Sequence, residues 1–184
     1  THCAVDGLLS LIAEHELREQ DIDTVEVIVN KISYDNLMFP KPVSEMEARF
    51  SMEYAIALAI TKGQLRIADF RSEIIADENI RKWFPKIKML QTPLEASLPV
   101  AENGREPAKV IVHTKDGRVL DIFKQRARGV LQNPLTEDEM WAKFDDCMDS
   151  AAIAIQSSEI RACLEVFETL DNVSELMKLL RSTS

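Results

Sequence analysis

Glycine and cysteine are scarce in this chain, and their scarcity disfavours several kinds of enzyme. Only five glycines and three cysteines occur among 184 residues. The glycines form no GxGxxG, P-loop or GxSxG pattern, which argues against dinucleotide and nucleoside-triphosphate chemistry. The cysteines are far apart, without CxxC spacing, and the three histidines do not complete a metal set with them. We therefore expect no metal site, and free thiols in a reducing compartment.

An excess of positive charge and long apolar runs are also lacking. The net charge is −9 and the isoelectric point is near 4.9, so the chain repels phosphate backbones and nucleic acid is not an expected partner. The longest apolar run, near residues 54–60, is too short to span a bilayer, and no basic segment precedes an apolar core as in a signal peptide. The composition predicts a cytoplasmic protein without a membrane partner, in which an anionic substrate needs a locally basic pocket.

The chain opens on an amphipathic pattern. Val5, Leu8, Leu9 and Ile12 follow the spacing i, i+3, i+4 and i+7, which predicts a helix over residues 3–17. Because the first residue is Thr and no cap precedes this pattern, we interpret the chain as cut from a longer protein. The alternative is an engineered or processed start of a complete small protein.

Strand and helix signals are mixed along the rest of the chain. Alternating β-branched residues predict strands at 23–33 and 86–92, and Asp116-Gly117 predicts a hairpin within 108–125. Short helices are expected at 66–75 and 77–84, a proline-containing loop at 92–107, and helices near 136–152, 157–170 and 173–182. The pattern predicts one α+β domain over residues 1–184, with an antiparallel sheet that includes the hairpin, packed against helices, and a helical C-terminal third.

The stretch PVSEMEARFSMEYAIALAITKG, residues 42–63, predicts one buried helix. Ser44 and Glu47 form a capping box, and Gly63 stands where a helix ends. After Tyr54 the helix is apolar on nearly every side, so protein should enclose it. Burial alone accounts for the apolar composition of this helix, and no function is needed to explain it. Ser51 falls inside the predicted helix, where a hydroxyl usually bonds back to a carbonyl.

Three blocks, in this order, resemble the MmgE/PrpD family. THCAVDGLLSLIAEH resembles the H-x-x-x-D-A/G opening of the first helix in that family's second domain. KPVSEMEARFSMEYAIALAITKG is similar to its block of Pro, A-R-F/H-S, an aromatic residue and a small-residue helix ending in Gly. VIVHTKDGRVLDIF followed by GVLQNPLTEDEMWAKFDDC resembles a D-G turn and then N-P-L/M-[ST]-x-x-[DE]-x-x-x-K-F. Together the blocks cover most of the chain.

The resemblance implies a lyase. The family includes 2-methylcitrate dehydratase, cis-aconitate decarboxylase and an iminodisuccinate epimerase, which use no metal and no organic cofactor and are commonly dimers. A large helical domain precedes a smaller α+β domain, with the active site in the cleft between them. By this resemblance residues 1–184 are the second domain of an enzyme acting on a di- or tricarboxylic acid, incomplete and inactive without the helical domain. The alternative is a non-catalytic α+β module for binding or dimerisation.

His2 is the candidate catalytic residue that the resemblance implies. Chemistry at a carbon next to a carboxylate needs a general acid and base, and imidazole suits that task. The positive end of a helix favours the neutral imidazole, which is the form that accepts a proton. Spacing alone favours the alternative, a frayed terminal histidine without a role. His15 is expected to be solvated, and His113 to be a sheet residue.

Three further side chains are candidates for binding substrate. Arg49, in the ARFS block, offers the planar fork that binds a carboxylate in two places, although a salt bridge to Glu45 is equally consistent with the pattern. Lys41, between two prolines, adds positive charge or is simply solvated. Tyr34 lies in a loop where the family presents a phenolic hydroxyl.

Overall fold

The computed structural model describes residues 1–92, 106–151 and 157–181. The chain divides into two compact units, Thr1–Pro134 and Leu135–Ser184. Most of the predicted loop at 92–107 lies outside the described residues, so that prediction is not tested.

The first unit contains a sheet and six α-helices in the described part of the chain. The helices are α1 (His2–Glu14), α2 (Lys31–Asn36), α3 (Glu45–Arg49), α4 (Met52–Lys62), α5 (Ser72–Ile75) and α6 (Glu78–Arg81). The strands are β1 (Ile22–Val29), β2 (Ile87–Gln91), β3 (Ala108–Thr114) and β4 (Val119–Lys124). Short 3₁₀ turns at Glu19–Asp21, Ile67–Phe70 and Phe84–Lys86 connect them. The α+β class is confirmed.

The sheet is mixed rather than wholly antiparallel, with the strand order β2-β1-β3-β4. β1 pairs antiparallel with β3, and β3 pairs antiparallel with β4 across the turn that contains Gly117. β2 runs parallel to β1, which the sequence analysis did not predict. A parallel neighbour requires a long crossover, and the helices α2 to α6 between β1 and β2 supply it.

One face of the sheet carries the core. Val25, Val27 and Val29 of β1 point to this face and are at most 2% exposed, and Val110 and Val112 lie opposite them on β3. The helices α1 and α4 pack against this side of the sheet and against each other. Every residue of α4 from Met52 to Ile60 is buried, which confirms that protein encloses this helix.

The predicted helix over residues 42–63 is two helices rather than one. Ser44 caps α3 by accepting a hydrogen bond from the backbone N–H of Glu47. Ser51 begins α4, because its hydroxyl accepts a hydrogen bond of 3.1 Å from the N–H of Tyr54. The prediction that Ser51 bonds back to a carbonyl inside a helix is therefore wrong. Gly63 ends α4 in the left-handed conformation, with φ 67°, as its sequence position indicated.

The predicted strand over residues 23–33 is also shorter than expected. β1 ends at Val29, and Asn30 then starts α2 by accepting a hydrogen bond of 2.9 Å from the N–H of Ser33. An Asn side chain at this position satisfies one of the free N–H groups of a new helix turn, which competes with continuing the strand.

The second unit is helical in its described part. It contains the three predicted helices, α7 (Glu137–Ser150), α8 (Ser157–Glu165) and α9 (Ser174–Leu179). A 3₁₀ turn (Phe167–Thr169) stands where the second of them was expected to continue. Thr136 and Glu139 form the expected capping box at the start of α7. A small core joins the three helices through one buried side chain from each, namely Met148, Ile160 and Leu176.

Candidate active site

At one end of the sheet, β1 ends and β3 begins. Val29, the last residue of β1, is paired with Ala108, the first residue of β3. Asn30 follows Val29 directly and caps α2, so α2 also starts at this end of the sheet. A short polar helix is thereby held against the end of the core strands.

Glu106 lies at the start of α2 and acts electrostatically on the first turn of α1. Its carboxylate accepts hydrogen bonds from two side chains that begin α2, those of Asn30 and Ser33. Burial raises the pKa of the Cys3 thiol, and the charges of Asp6 and, more weakly, Glu106 add to this effect. His2, the first residue of α1, is the chain neighbour of Cys3. The first turn of α1 therefore lies at the same end of the sheet as α2.

A cavity of about 390 Å³ lies beside α2. Its walls come from α2, the segment that follows it, α4 and β2, and its lining residues are Tyr34, Asp35, Leu37, Met38, Pro40, Glu53 and Met89. The volume is within the range of pockets that hold small molecules. Most of the lining is apolar, with a phenol and two carboxyl groups as its polar parts.

Glu53 is the chemically unusual member of this lining. It lies in the first turn of α4 and is 7% exposed, although carboxylates are rarely buried without a partner. Its Oε2 atom has no hydrogen-bond partner within residues 1–92, 106–151 and 157–181. Burial raises the pKa of the Glu53 carboxyl, and a hydrogen bond from its own backbone N–H offsets only part of that effect. A protonated Glu53 carries an acidic proton beside the cavity.

Comparison with known proteins identifies the family. The family model "MmgE/PrpD C-terminal domain" matches residues 1–169, most of the chain. The chain belongs to the MmgE/PrpD family. The part that it represents is the family's C-terminal domain, as the three sequence blocks indicated.

A curated relative of this MmgE/PrpD domain is the cis-aconitate decarboxylase of Mus musculus. The two are 22% identical over 163 residues, which are 89% of this chain and 32% of the mouse protein. The chain thus spans about a third of the length of the relative that it matches.

Of the three predicted substrate-binding residues of this MmgE/PrpD domain, one lines the cavity and two are exposed on the surface, close in sequence to lining residues. Tyr34 lines the cavity from α2, which is a helix rather than the loop expected from the sequence. Lys41 is exposed, directly after Pro40 of the cavity wall. Arg49 ends α3 and forms an ion pair with Glu45, the alternative that the sequence left open. Both side chains of that pair are more than half exposed, so the pair is weak.

Sequence reasoning did not single out Glu53 or Glu106. A glutamate at the start of an otherwise apolar helix is a usable signal for Glu53, but first-turn acids are so common at helix starts that it carried no weight. Glu106 meets Asn30 and Ser33 across more than 70 residues of chain, and no local pattern announces that contact.

In the part of the chain that the structure describes, no group of three or more His, Cys, Asp or Glu side chains is placed to hold a metal ion. None of the helices among the described residues is long and apolar enough to cross a membrane.

The buried Glu53 carboxyl predicts a pH-dependent stability. Since burial raises its pKa in the folded state, folding favours the protonated form, and the stabilisation is complete below the unfolded pKa and is lost as pH rises through the folded pKa. Relative to Glu53→Gln, the parent protein should therefore lose stability as the pH rises from about 4, near the ordinary pKa of a glutamate, towards neutral pH. Urea unfolding across this range measures it. Glu14→Gln, at an exposed position, is the control, and equal pH profiles for the parent and Glu53→Gln would contradict the prediction.

Proposed function

We propose that this MmgE/PrpD domain is the C-terminal part of a cofactor-independent lyase that acts on a di- or tricarboxylic acid, such as 2-methylcitrate or cis-aconitate. The family membership supports this proposal, and so does the name of the mouse relative, a decarboxylase of cis-aconitate. We also propose that an upstream helical domain completes the site and that the whole enzyme is a homo-oligomer located in the cytoplasm.

The observation that carries the proposal is the position of α2 between two polar features. Its first residues bind the Glu106 carboxylate, whose charge also acts on Cys3, the chain neighbour of His2, and its following residues line the cavity with Glu53. The proposal therefore has a base at the start of α1 and a proton donor in the cavity that α2 lines. Elimination of water needs both a base and an acid, whereas decarboxylation needs only a proton donor for the carbon that carbon dioxide leaves.

His2 is the proposed base. In a dehydration, the imidazole removes a proton from the carbon next to a carboxylate, the C–O bond to the leaving hydroxyl breaks, and an acid protonates that oxygen so that water departs. In a decarboxylation, the C–C bond to a carboxylate breaks, carbon dioxide leaves, and the remaining carbon takes up a proton. In either reaction negative charge develops on the substrate carboxylate as an enediolate or a related anion.

The other candidate residues divide the remaining tasks. Arg49 and Lys41 are proposed to attract and orient the substrate carboxylates, since the exposed pair of Arg49 with Glu45 is weak enough for a substrate carboxylate to displace. The hydroxyl of Tyr34 and the protonated Glu53 are proposed to donate hydrogen bonds where charge develops. Donors held in place before the reaction lower its barrier because they need no rearrangement at the transition state.

Activity assays on the intact protein test the proposal. Carbon dioxide release from cis-aconitate and ultraviolet absorbance of the double bond formed from 2-methylcitrate distinguish the two reactions. We expect turnover of at least one acid, and a kcat about 10²-fold lower in Glu53→Gln, which keeps the shape of the side chain but lacks the acidic proton.

Glu14→Gln is the matched control for this assay, because its carboxylate is exposed at the far end of α1. Turnover that Glu53→Gln leaves unchanged would keep the lyase and remove the cavity from its site. Failure to turn over either acid would contradict the proposed substrate class and favour a non-catalytic binding or dimerisation module.

A further inference from the structure

A second cavity, of about 440 Å³, lies at the opposite end of the sheet from the start of α2. There β1 begins and β3 ends, with Ile22 paired with Thr114. Three separate parts of the chain form the walls: the turn before β1, the segment after α6, and the hairpin turn after β3. The lining residues are Arg18, Glu19, Gln20, Lys82, Trp83, Lys86 and Lys115.

The charge of this lining is opposite to that of the whole chain. Four cationic side chains, those of Arg18, Lys82, Lys86 and Lys115, face one lining carboxylate, Glu19. The chain as a whole carries a net charge of −9. Positive charge collected in a concave site on an acidic protein raises the local concentration of anions.

A buried tryptophan holds the Glu19 carboxylate in place. Trp83 is 4% exposed, and its indole N–H donates a hydrogen bond of 3.0 Å to Glu19 Oε1. Lys82 Nζ lies 2.9 Å from the same oxygen. Burial opposes ionisation of Glu19, but these two hydrogen bonds and the positive charges of Lys82 and Lys115 together outweigh it and lower the pKa of the carboxyl. Glu19 is therefore an anion already bound among the cations of the cavity.

The lysine ammonium groups retain donors for a further anion. Lys115 Nζ donates one hydrogen bond of 2.7 Å, to the carbonyl of Gln20. Lys86 Nζ lies 5.4 Å from the centre of the Trp83 ring and 4.0 Å from Asp23 Oδ1, which is beyond hydrogen-bond distance. Because each ammonium has three N–H donors, the contacts described for each lysine leave at least two available.

We infer that this cavity is a binding site for a small polyanion, a molecule with two or more phosphate or carboxylate groups, and that Glu19 competes with that ligand for the lysines. The volume is within the range of small-molecule sites, and lysine ammonium groups act as point charges that suit both kinds of group. The site is at the other end of the sheet from the proposed active site, so the inference does not depend on the proposed function.

Isothermal titration calorimetry on the intact protein, at constant ionic strength, tests the inference with pyrophosphate and with citrate. We expect saturable binding that the double variant Lys82→Gln/Lys115→Gln weakens at least about tenfold, because two charged donors are lost. Glu19→Gln should tighten binding, because it removes the competing anion. The lysine variant and Glu19→Gln should thus change the affinity in opposite directions, which loss of structure in either protein would not produce.

Lys109→Gln is the matched control, since this lysine lies on the sheet and pairs with Asp121 rather than with the cavity. Binding of pyrophosphate alone would assign the site to phosphates, and binding of citrate alone to carboxylates. An affinity that the double lysine variant leaves unchanged would overturn the site. Citrate that binds only at the proposed active site would give this result. Weaker binding in Glu19→Gln would overturn the role of Glu19 as competitor.

Discussion

Replacement of His2 by alanine is expected to lower kcat by about 10²–10⁴-fold, the usual contribution of a general acid or base. His2 is the first residue of α1, where the proposed proton transfer takes place. KM should change little, because proton transfer is a transition-state interaction rather than a ground-state contact. Steady-state kinetics of the intact protein, on whichever acid it turns over, measure both constants.

His15→Ala is the matched control for this experiment, because His15 caps the opposite end of the same helix. It should leave kcat unchanged. Unfolding midpoints of both variants show whether the fold is intact. A His2→Ala protein that is folded and fully active would remove His2 from the mechanism while leaving the family membership as it is.

Replacement of Tyr54 by alanine is expected to lower the free energy of unfolding by about 3–5 kcal/mol, as is usual for truncating a large buried aromatic side chain. Tyr54 is fully buried, and its ring meets Phe70 and Phe84 edge-on, with ring centres 5.7 and 6.4 Å apart. Its hydroxyl donates a hydrogen bond to the carbonyl oxygen of Asp69. Urea unfolding gives the free energy.

The chain contains its own control for this prediction, since Tyr34 is its other tyrosine and is 40% exposed. Tyr34→Ala should change stability by no more than about 0.5 kcal/mol. Tyr54→Phe should cost about 1–3 kcal/mol, because it leaves a buried carbonyl without its donor. A loss below about 1 kcal/mol in Tyr54→Ala would show that the core repacks around the missing ring.

Local signals in the sequence predicted the helices and strands well wherever one residue satisfies a backbone need. Gly63 ends α4 because a left-handed residue is needed there, and Thr136 starts α7 because its hydroxyl accepts a hydrogen bond from a free N–H group. The apolar spacing of Leu8 and its neighbours predicted α1 for the same kind of reason: its period sets which residues face the core. These interactions span at most a few residues.

Features that depend on contacts between distant residues could not be predicted from the sequence and are visible only in the tertiary structure. A serine inside an amphipathic pattern is compatible both with one continuous helix and with a new start, and packing of α4 in the core selected the start at Ser51. Strand direction is not encoded in the strand itself. β2 runs parallel to β1 because the helices between them carry the chain back across the core.

The same division holds for the candidate sites. Sequence blocks indicated the family and contain His2, Arg49 and Lys41, because family motifs are contiguous stretches of chain, whereas Tyr34 was chosen from the loop expected between two of them. The raised pKa of Glu53 depends on burial, which packing around the start of α4 creates. The cavity around Trp83 assembles cations from three distant segments, and each is unremarkable in its own stretch of sequence. Local chemistry is thus readable along the chain, whereas desolvation and the convergence of charges exist only in the folded molecule.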